Sequence, residues 1–189
     1  MPFLLLASAS PRRRELLHQL GIKFDVIPSC YEERMDLALS PVQLVEQHSL
    51  GKALDVQKDY PSELVLGADT VVVLDGAVLG KPTDIEDAVQ MLQQLQGRWH
   101  VVHTGIALVE GEYRSVRHCS TRVRLRPLTP KQVRAYVAGG EPLDKAGSYA
   151  IQGLGAGLVE AIDGCYTNVV GLSLPLLVDM LVEFGRPIY

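Results

Sequence analysis

The sequence predicts an α/β protein of one continuous domain spanning residues 1–189, and three observations predict it. Short apolar runs alternate with capped, amphipathic stretches along the whole chain. Two long alternating segments, Trp99 to Leu108 and Tyr113 to Leu125, face each other across Glu110-Gly111-Glu112 as antiparallel strands. No internal repeat, low-complexity tract or linker interrupts the 189 residues, a length sufficient for a sizeable core.

Taken in order, Phe3 to Ala7 reads as a buried strand. Ser8-Ala9-Ser10-Pro11 follows, with Ser10 placed as an N-cap and Pro11 at the first helical position. Leu16, Leu17 and Leu20 form the apolar stripe of that helix, and Gly21 ends it. Arg12, Arg13 and Arg14 crowd its first turn, where cations oppose the helix dipole. They are either solvated or face an anion held at the helix start. Ile22 to Ile27 reads as a second strand. The paired acids that follow, Glu32 and Glu33, suit a solvated loop or a metal site. Ser40-Pro41 opens a second helix through Val42, Leu44, Val45, His48 and Ala53, with Lys52 near its far end. His48 reads as a surface or packed histidine without a metal partner.

The central stretch runs from Leu64 to Leu74. Gly67-Ala68-Asp69-Thr70 stands between apolar runs and reads as a strand, an interruption and a second strand. An acid in such a run either caps a turn or must be paired, ligated or turned to a cleft. Gly67 and Ala68 leave room for something to approach the backbone. Asp75-Gly76 predicts a tight hairpin returning through Ala77-Val78-Leu79 to Gly80-Lys81-Pro82.

Thr83-Asp84-Ile85-Glu86 predicts a capping box, with Ala88, Met91, Leu92 and Leu95 as the buried stripe up to Gly97. In the long strand pair, Arg117, Arg122, Arg124 and Arg126 fall on solvated positions. His100 and His103 fall on opposite faces, which argues against a histidine metal cluster. Thr129-Pro130 starts a further helix ended by Gly139-Gly140. The glycine-rich segment from Glu141 to Gly157 suits a loop wrapped round a ligand or a flexible connection. Leu158 to Ile162 then predicts a strand, Asp163-Gly164 a turn, and Leu174 to Phe184 a closing helix.

A net charge of −4 and a pI near 5.7 leave no global basic field for a nucleic acid polymer. Cys30, Cys119 and Cys165 lack C-x-x-C spacing, which speaks against a disulfide framework or structural zinc and for reduced thiols in the cytoplasm. The apolar start is short, lacks a basic leader and runs into Arg12, so no signal peptide is expected. No apolar run reaches membrane-spanning length.

The polar residues at strand ends and loops are Ser8, Ser10, Arg12, Arg13, Glu33, Lys52, Asp69, Thr70 and Lys81. Two carboxylates, four cations and a helix start suit a polyphosphate whose charge is shared with a divalent metal. No G-x-x-x-x-G-K-[ST] loop, G-x-S-x-G elbow or G-x-G-x-x-G turn is present. The residues alone therefore reach metal-assisted chemistry on a phosphate ester or anhydride.

Five segments in order extend that reading. Ser8-Ala9-Ser10-Pro11-Arg12-Arg13, Gly67-Ala68-Asp69-Thr70-Val71-Val72, Gly80-Lys81-Pro82, His103-Thr104-Gly105 and Asp144 to Gly153, followed by Asn168-Val169-Val170-Gly171-Leu172, resemble the Maf family of nucleoside triphosphate pyrophosphatases. The resemblance implies a mixed α/β fold like that of the inosine triphosphate pyrophosphatases. That fold has an elongated central sheet flanked by helices and two lobes around a cleft, often in a homodimer. It also implies hydrolysis of a nucleoside triphosphate to the monophosphate and pyrophosphate with Mg²⁺, Mn²⁺ or Co²⁺. Asp69 matches the family's general base, and Arg12, Thr70 and Gln152 its specificity positions. The segment Lys145-Ala146-Gly147-Ser148-Tyr149-Ala150-Ile151-Gln152-Gly153 resembles the dTTP/UTP-preferring branch. The stretch around Lys52 is less basic than is usual in the family, and Ser173 stands where proline is common.

On this reading Glu33 and Asp69 hold the metal, and Asp69 takes a proton from the attacking water. Burial would raise its pKa while neighbouring cations would lower it. Arg13, Lys52 and Lys81 stabilise phosphate charge, Ser8 holds a phosphate, and Gln152 pairs with a pyrimidine edge. Two rivals follow: a nucleotide-binding regulator of cell division with little turnover, and a pyrophosphatase for 7-methyl-GTP or purine triphosphates. Paired carboxylates oppose the first, and Gln152 with its neighbours opposes the second.

Overall fold

Leu4, Leu5 and Leu6 are almost wholly excluded from water because strand β1 (Leu4–Leu6) has a parallel partner on each side. A computed structural model describes residues 4–34, 36 and 38–189, so Phe3, the expected start of this strand, lies outside the described residues. Leu5 pairs with Asp25 of β2 (Phe24–Val26) and with Val65 of β3 (Val65–Leu74). Such two-sided pairing asks for a continuous apolar run, which is what the sequence supplies.

The described strands form one seven-stranded mixed sheet in the order β2-β1-β3-β5-β6-β7. In it β4 (Ala77–Leu79) lies antiparallel to β3, and β7 (Val159–Asp163) antiparallel to β6. The two long strands are β5 (Trp99–Glu110) and β6 (Tyr113–Leu125), as the alternation predicts. The helices are α1 (Pro11–Gln19), α2 (Pro41–Gln57), α3 (Ile85–Leu95), α4 (Pro130–Ala138), the short α5 (Tyr166–Val170) and α6 (Leu174–Glu183). The sequence reading did not anticipate α5. Among the described residues no helix is long and apolar enough to cross a membrane.

Three local expectations are corrected. β3 is one unbroken strand of ten residues, so Gly67-Ala68-Asp69-Thr70 is not an interruption. Its place in the sheet between β1 and β5 outweighs the weak strand propensity of those residues. The start of α3 sits one residue later than the capping box implied. Asp84 is the N-cap and accepts from Asp87 N, while the Asp87 carboxylate reaches back to Thr83 N and Oγ1. Ser10 occupies the N-cap of α1, but its hydroxyl makes no capping bond there. The capping boxes of α2 (Ser40, Gln43) and α4 (Thr129, Gln132) are complete. Asp75 and Gly76 both adopt positive φ, as a two-residue hairpin requires.

The chain divides into two compact units. One comprises the described residues up to Thr70 with Thr104–Cys119 and Gly171–Tyr189; the other comprises Val71–His103 and Ser120–Val170. The first has a core of Leu5, Ala7, Ala53, Val56, Val65, Ala107 and Val109. In the second, α3 and α4 pack together over Val72, Leu74, Val102, Val123 and Leu125. There His100 is buried with Nε2 2.7 Å from the Tyr149 hydroxyl, and burial lowers its pKa to about 4.

Candidate active site

Two glycines seat helix α2 directly on the sheet. A Cβ at Gly67 of β3 would lie 2.1 Å from the Ser49 carbonyl oxygen, and one at Gly105 of β5 would lie 2.2 Å from that of Val45. The room expected beside Asp69 is therefore filled by the backbone of α2. Residues one helical turn apart share a face, so His48 and Lys52 both reach the carboxylate of the strand beneath.

Asp69 is 5% exposed. Its Oδ1 accepts from Lys52 Nζ at 2.7 Å, and its Oδ2 lies 3.4 Å from His48 Nδ1. The same ammonium is 2.7 Å from Glu33 Oε1, so one cation is clasped by two carboxylates. The Glu33 segment is strapped to α2. Ser29 Oγ and Cys30 N both donate to Asp55 Oδ2, Tyr31 packs edge-on against the His48 ring, and Arg34 O bonds His48 Nε2 at 3.1 Å.

The competition over the Asp69 pKa is resolved here. Burial is the largest single influence and pushes it up. The neighbouring His48 ring, the Lys52 charge and hydrogen bond, and the Arg13 charge together outweigh burial and hold the carboxyl below its usual range. His48 moves the other way: the close Asp69 carboxylate raises its pKa against the cost of burial. His48 is packed, as one of the two expected readings had it, but the expectation that nothing nearby supplies a metal partner is overturned: Glu33 and Asp69 offer ligand atoms beside it. His48 is 4% exposed and faces Asp69, 21 positions along the sequence. Only its one-turn spacing from Lys52 hinted at a shared role.

Beside this cluster, Arg13 is a buried hub. Its Nε donates to the Gly171 carbonyl at 2.8 Å, Nη1 to Ser8 Oγ at 3.1 Å and Nη2 to Thr70 Oγ1 at 3.2 Å. Thr70 in turn shares a 2.9 Å bond with Thr104 Oγ1. Ser8 also accepts from Ser10 N, which shapes the turn into α1. Arg12 is half-buried next to this hub, in the first turn of α1. The structure therefore brings together Ser8, Arg13 and Thr70 in one hydrogen-bonded set, and Glu33, Lys52 and Asp69 in another.

Lys81 and Gln152 belong to the second unit. Lys81 follows β4, where Gly80 O accepts from Gly147 N, so the Gly80-Lys81-Pro82 turn is tied to the segment that leads to Gln152. That segment is ordered by its own bonds. Glu141 accepts from Leu154 N and Gly155 N, Lys145 Nζ donates to Glu141 O, and the Tyr136 hydroxyl accepts from Ala150 N. This favours the ordered loop over the flexible connection.

The donors at Asp69 suit a metal ion. Glu33, His48 and Asp69 each offer one ligand atom within 4.8 Å of the others, and the two carboxylates already share a cation, the Lys52 ammonium. One buried and one half-exposed carboxylate with an imidazole are an appropriate set for a divalent cation.

Comparison with known proteins agrees with this chemistry. A family model described as Maf-like protein matches residues 3–184. A Gloeobacter violaceus protein named dTTP/UTP pyrophosphatase is 68% identical over 186 residues, covering 98% of this chain and 98% of that protein. One of the same name from Symbiobacterium thermophilum is 52% identical, covering 100% of this chain and 97% of its own. Among solved structures, the Staphylococcus aureus Ham1 protein superposes with a TM-score of 0.50 at 14% identity, over 82% of this chain and 79% of that one. That likeness concerns the fold alone.

Proposed function

The chain belongs to the Maf family, and from that premise we propose that it hydrolyses nucleoside triphosphates, with dTTP and UTP as substrates, to the monophosphate and pyrophosphate. The observation that carries this reading is the buried Asp69 carboxylate held between Lys52 and His48 with Glu33 alongside. A protein that only sensed nucleotides would gain nothing from two carboxylates beside phosphates, which disfavours the regulator. Relatives named for dTTP and UTP disfavour the 7-methyl-GTP and purine alternatives. Residues 1–189 act as one pyrophosphatase domain, working in the cytoplasm.

In the proposed reaction, the oxygen of a water attacks the α-phosphorus and the bond from α-phosphorus to the bridging oxygen breaks. Pyrophosphate leaves with the electron pair. Asp69 is ionised at neutral pH and takes the proton of the attacking water. Its low basicity is a property of the substrate-free site. When Lys52 and Arg13 share their charge with phosphates, their hold on Asp69 weakens and its proton affinity rises. Lys52, Arg13 and Lys81 then stabilise the charge that develops on the phosphate oxygens. Glu33 and Asp69 would hold a divalent cation, Mg²⁺ or else Mn²⁺ or Co²⁺, which would supply further neutralisation of that charge. Ser8 holds a phosphate at the start of α1, Arg12 and Thr70 help to select the nucleotide, and the Gln152 amide reads the O4/N3 edge of the pyrimidine.

The test is pyrophosphate release from dTTP, UTP, CTP, GTP, ATP and 7-methyl-GTP, with Mg²⁺ and with EDTA. Metal-dependent release concentrated on dTTP and UTP is the expected result. Release from 7-methyl-GTP instead would keep the reaction and overturn the specificity. Silence across the panel in a folded sample would favour the regulator.

A further inference from the structure

We propose that His48 is a third ligand of the cation site, binding through Nδ1 beside Glu33 and Asp69, and that it biases this site toward Mn²⁺ or Co²⁺ over Mg²⁺. The inference rests on the metal site put forward above and adds a ligand to it.

The first argument is the tautomer. His48 Nε2 lies 3.1 Å from the Arg34 carbonyl oxygen, which can only accept, so Nε2 carries a proton and donates it. In the neutral ring Nδ1 then bears the lone pair, and it stands 3.4 Å from Asp69 Oδ2, which also only accepts. Two acceptors face each other across a water-poor gap, which calls for a positive charge between them. A backbone carbonyl that receives the far N–H of a histidine is also the usual support of a metal-binding imidazole, because it fixes the ring and its tautomer.

The second argument is distance, which is compatible with a shared ion. A charge-assisted N–H···O bond draws its heavy atoms to about 2.7–2.9 Å. The gap here is 3.4 Å, wider than such a bond. Adjacent ligand atoms of an octahedral ion, at bonds of about 2.1 Å, stand about 3 Å apart, so a small closing of the gap would seat both on one ion.

The third is the division of labour on Asp69. Lys52 takes Oδ1, whereas His48 faces Oδ2, so the proposed ligand pair lies on the oxygen that the ammonium leaves alone. The ring is also held in place, packed against Tyr31 and 4% exposed. Mg²⁺ prefers an all-oxygen shell, whereas Mn²⁺ and Co²⁺ accept imidazole readily, which sets the direction of the bias.

The test uses the full chain with Mn²⁺ and no nucleotide. Pulsed electron paramagnetic resonance on wild type labelled with ¹⁵N-histidine should show an imidazole nitrogen coupled to the ion. His48→Gln and His48→Leu should lose that coupling. Mn²⁺ affinity should fall at least about tenfold in both, while competition by Mg²⁺ changes far less. Bound Mn²⁺ without nitrogen coupling in wild type overturns the ligand role and leaves the metal site standing. So does coupling that persists in either variant. If Mn²⁺ does not bind with or without a dTTP analogue, the metal site and this inference fall together. The wild-type spectrum decides even where a variant fails to fold. Among the described residues, His48 is the histidine grouped with Glu33 and Asp69.

Discussion

Lys52 Nζ stands 2.7 Å from Asp69 Oδ1 and 2.7 Å from Glu33 Oε1, so a single ammonium neutralises a buried and a half-exposed carboxylate at once. The arrangement makes Lys52 both a stabilising and a reactive group. It also predicts that the two functions separate on mutation.

Asp69→Asn should lower turnover of dTTP by about 10²- to 10⁴-fold, the range of a lost general base, with nucleotide affinity changed only a few-fold. Pyrophosphate release and calorimetric binding of a non-hydrolysable dTTP analogue measure the two quantities. Turnover within a few-fold of wild type would remove Asp69 from that role. Lys52→Met should cost about 3 kcal/mol of stability, because it strips the main countercharge from a carboxylate that is out of water. The double variant should recover most of that loss, since a neutral amide no longer needs the ammonium. Fluorescence of Trp99, the one tryptophan of the chain, follows the unfolding.

Gly67→Ala should be severe for so small a change. The new methyl meets the Ser49 carbonyl oxygen and the Ala53 nitrogen, at 2.1 and 2.9 Å, which are backbone atoms that no rotamer change can move. Helix α2 must lift from β3, carrying His48 and Lys52 away from Asp69. A loss of about 2–3 kcal/mol together with at least tenfold lower turnover is expected. Gly105→Ala, against Val45 O, should behave in the same way.

Arg13→Lys keeps the charge but not the fork. A lysine cannot donate at once to Gly171 O, Ser8 Oγ and Thr70 Oγ1, groups that come from a loop before α6, the β1–α1 turn and β3. The expected outcome is a loss of about 1–3 kcal/mol in denaturant unfolding, with a raised KM for dTTP.

These contrasts explain what was legible in the sequence. Strand β1, the Ser-Pro and Thr-Pro helix starts and the Asp75-Gly76 hairpin follow from local chemistry, and each appears where that chemistry put it. The unbroken β3 does not. Gly67-Ala68-Asp69-Thr70 has the composition of a break, and what keeps it extended is the place of β3 in the sheet between β1 and β5, strands distant in sequence. His48 was missed for a similar reason. Nothing local distinguishes it from a packed histidine, because its partner comes from another element and meets it only when α2 settles onto two glycines. That Asp69 is buried and partnered was one of the two readings open to an acid inside an apolar run, the other being a turn cap. Which partners it has was not readable.

The buried His100–Tyr149 pair predicts an acid-sensitive step in stability that is independent of the active site. Burial takes the His100 pKa from 6.5 to about 4, so between those values the unfolded chain binds a proton that the folded chain refuses. Stability then rises with pH across that window, and the contribution is lost as pH falls from 6.5 to about 4 and is constant below. A shift of that size corresponds to about 3 kcal/mol. The refusal has a structural cause. Nε2 is engaged with the Tyr149 hydroxyl, and Nδ1 has no hydrogen-bond partner among the described residues, so a second ring proton would have no acceptor. His100→Gln keeps a polar group for the Tyr149 hydroxyl but cannot titrate. Measured by urea unfolding from pH 7 to pH 4.5, wild type should lose about 2–3 kcal/mol more than this variant does. Parallel curves would mean that His100 takes up its proton in the folded state, and that the pair opens without resisting acid.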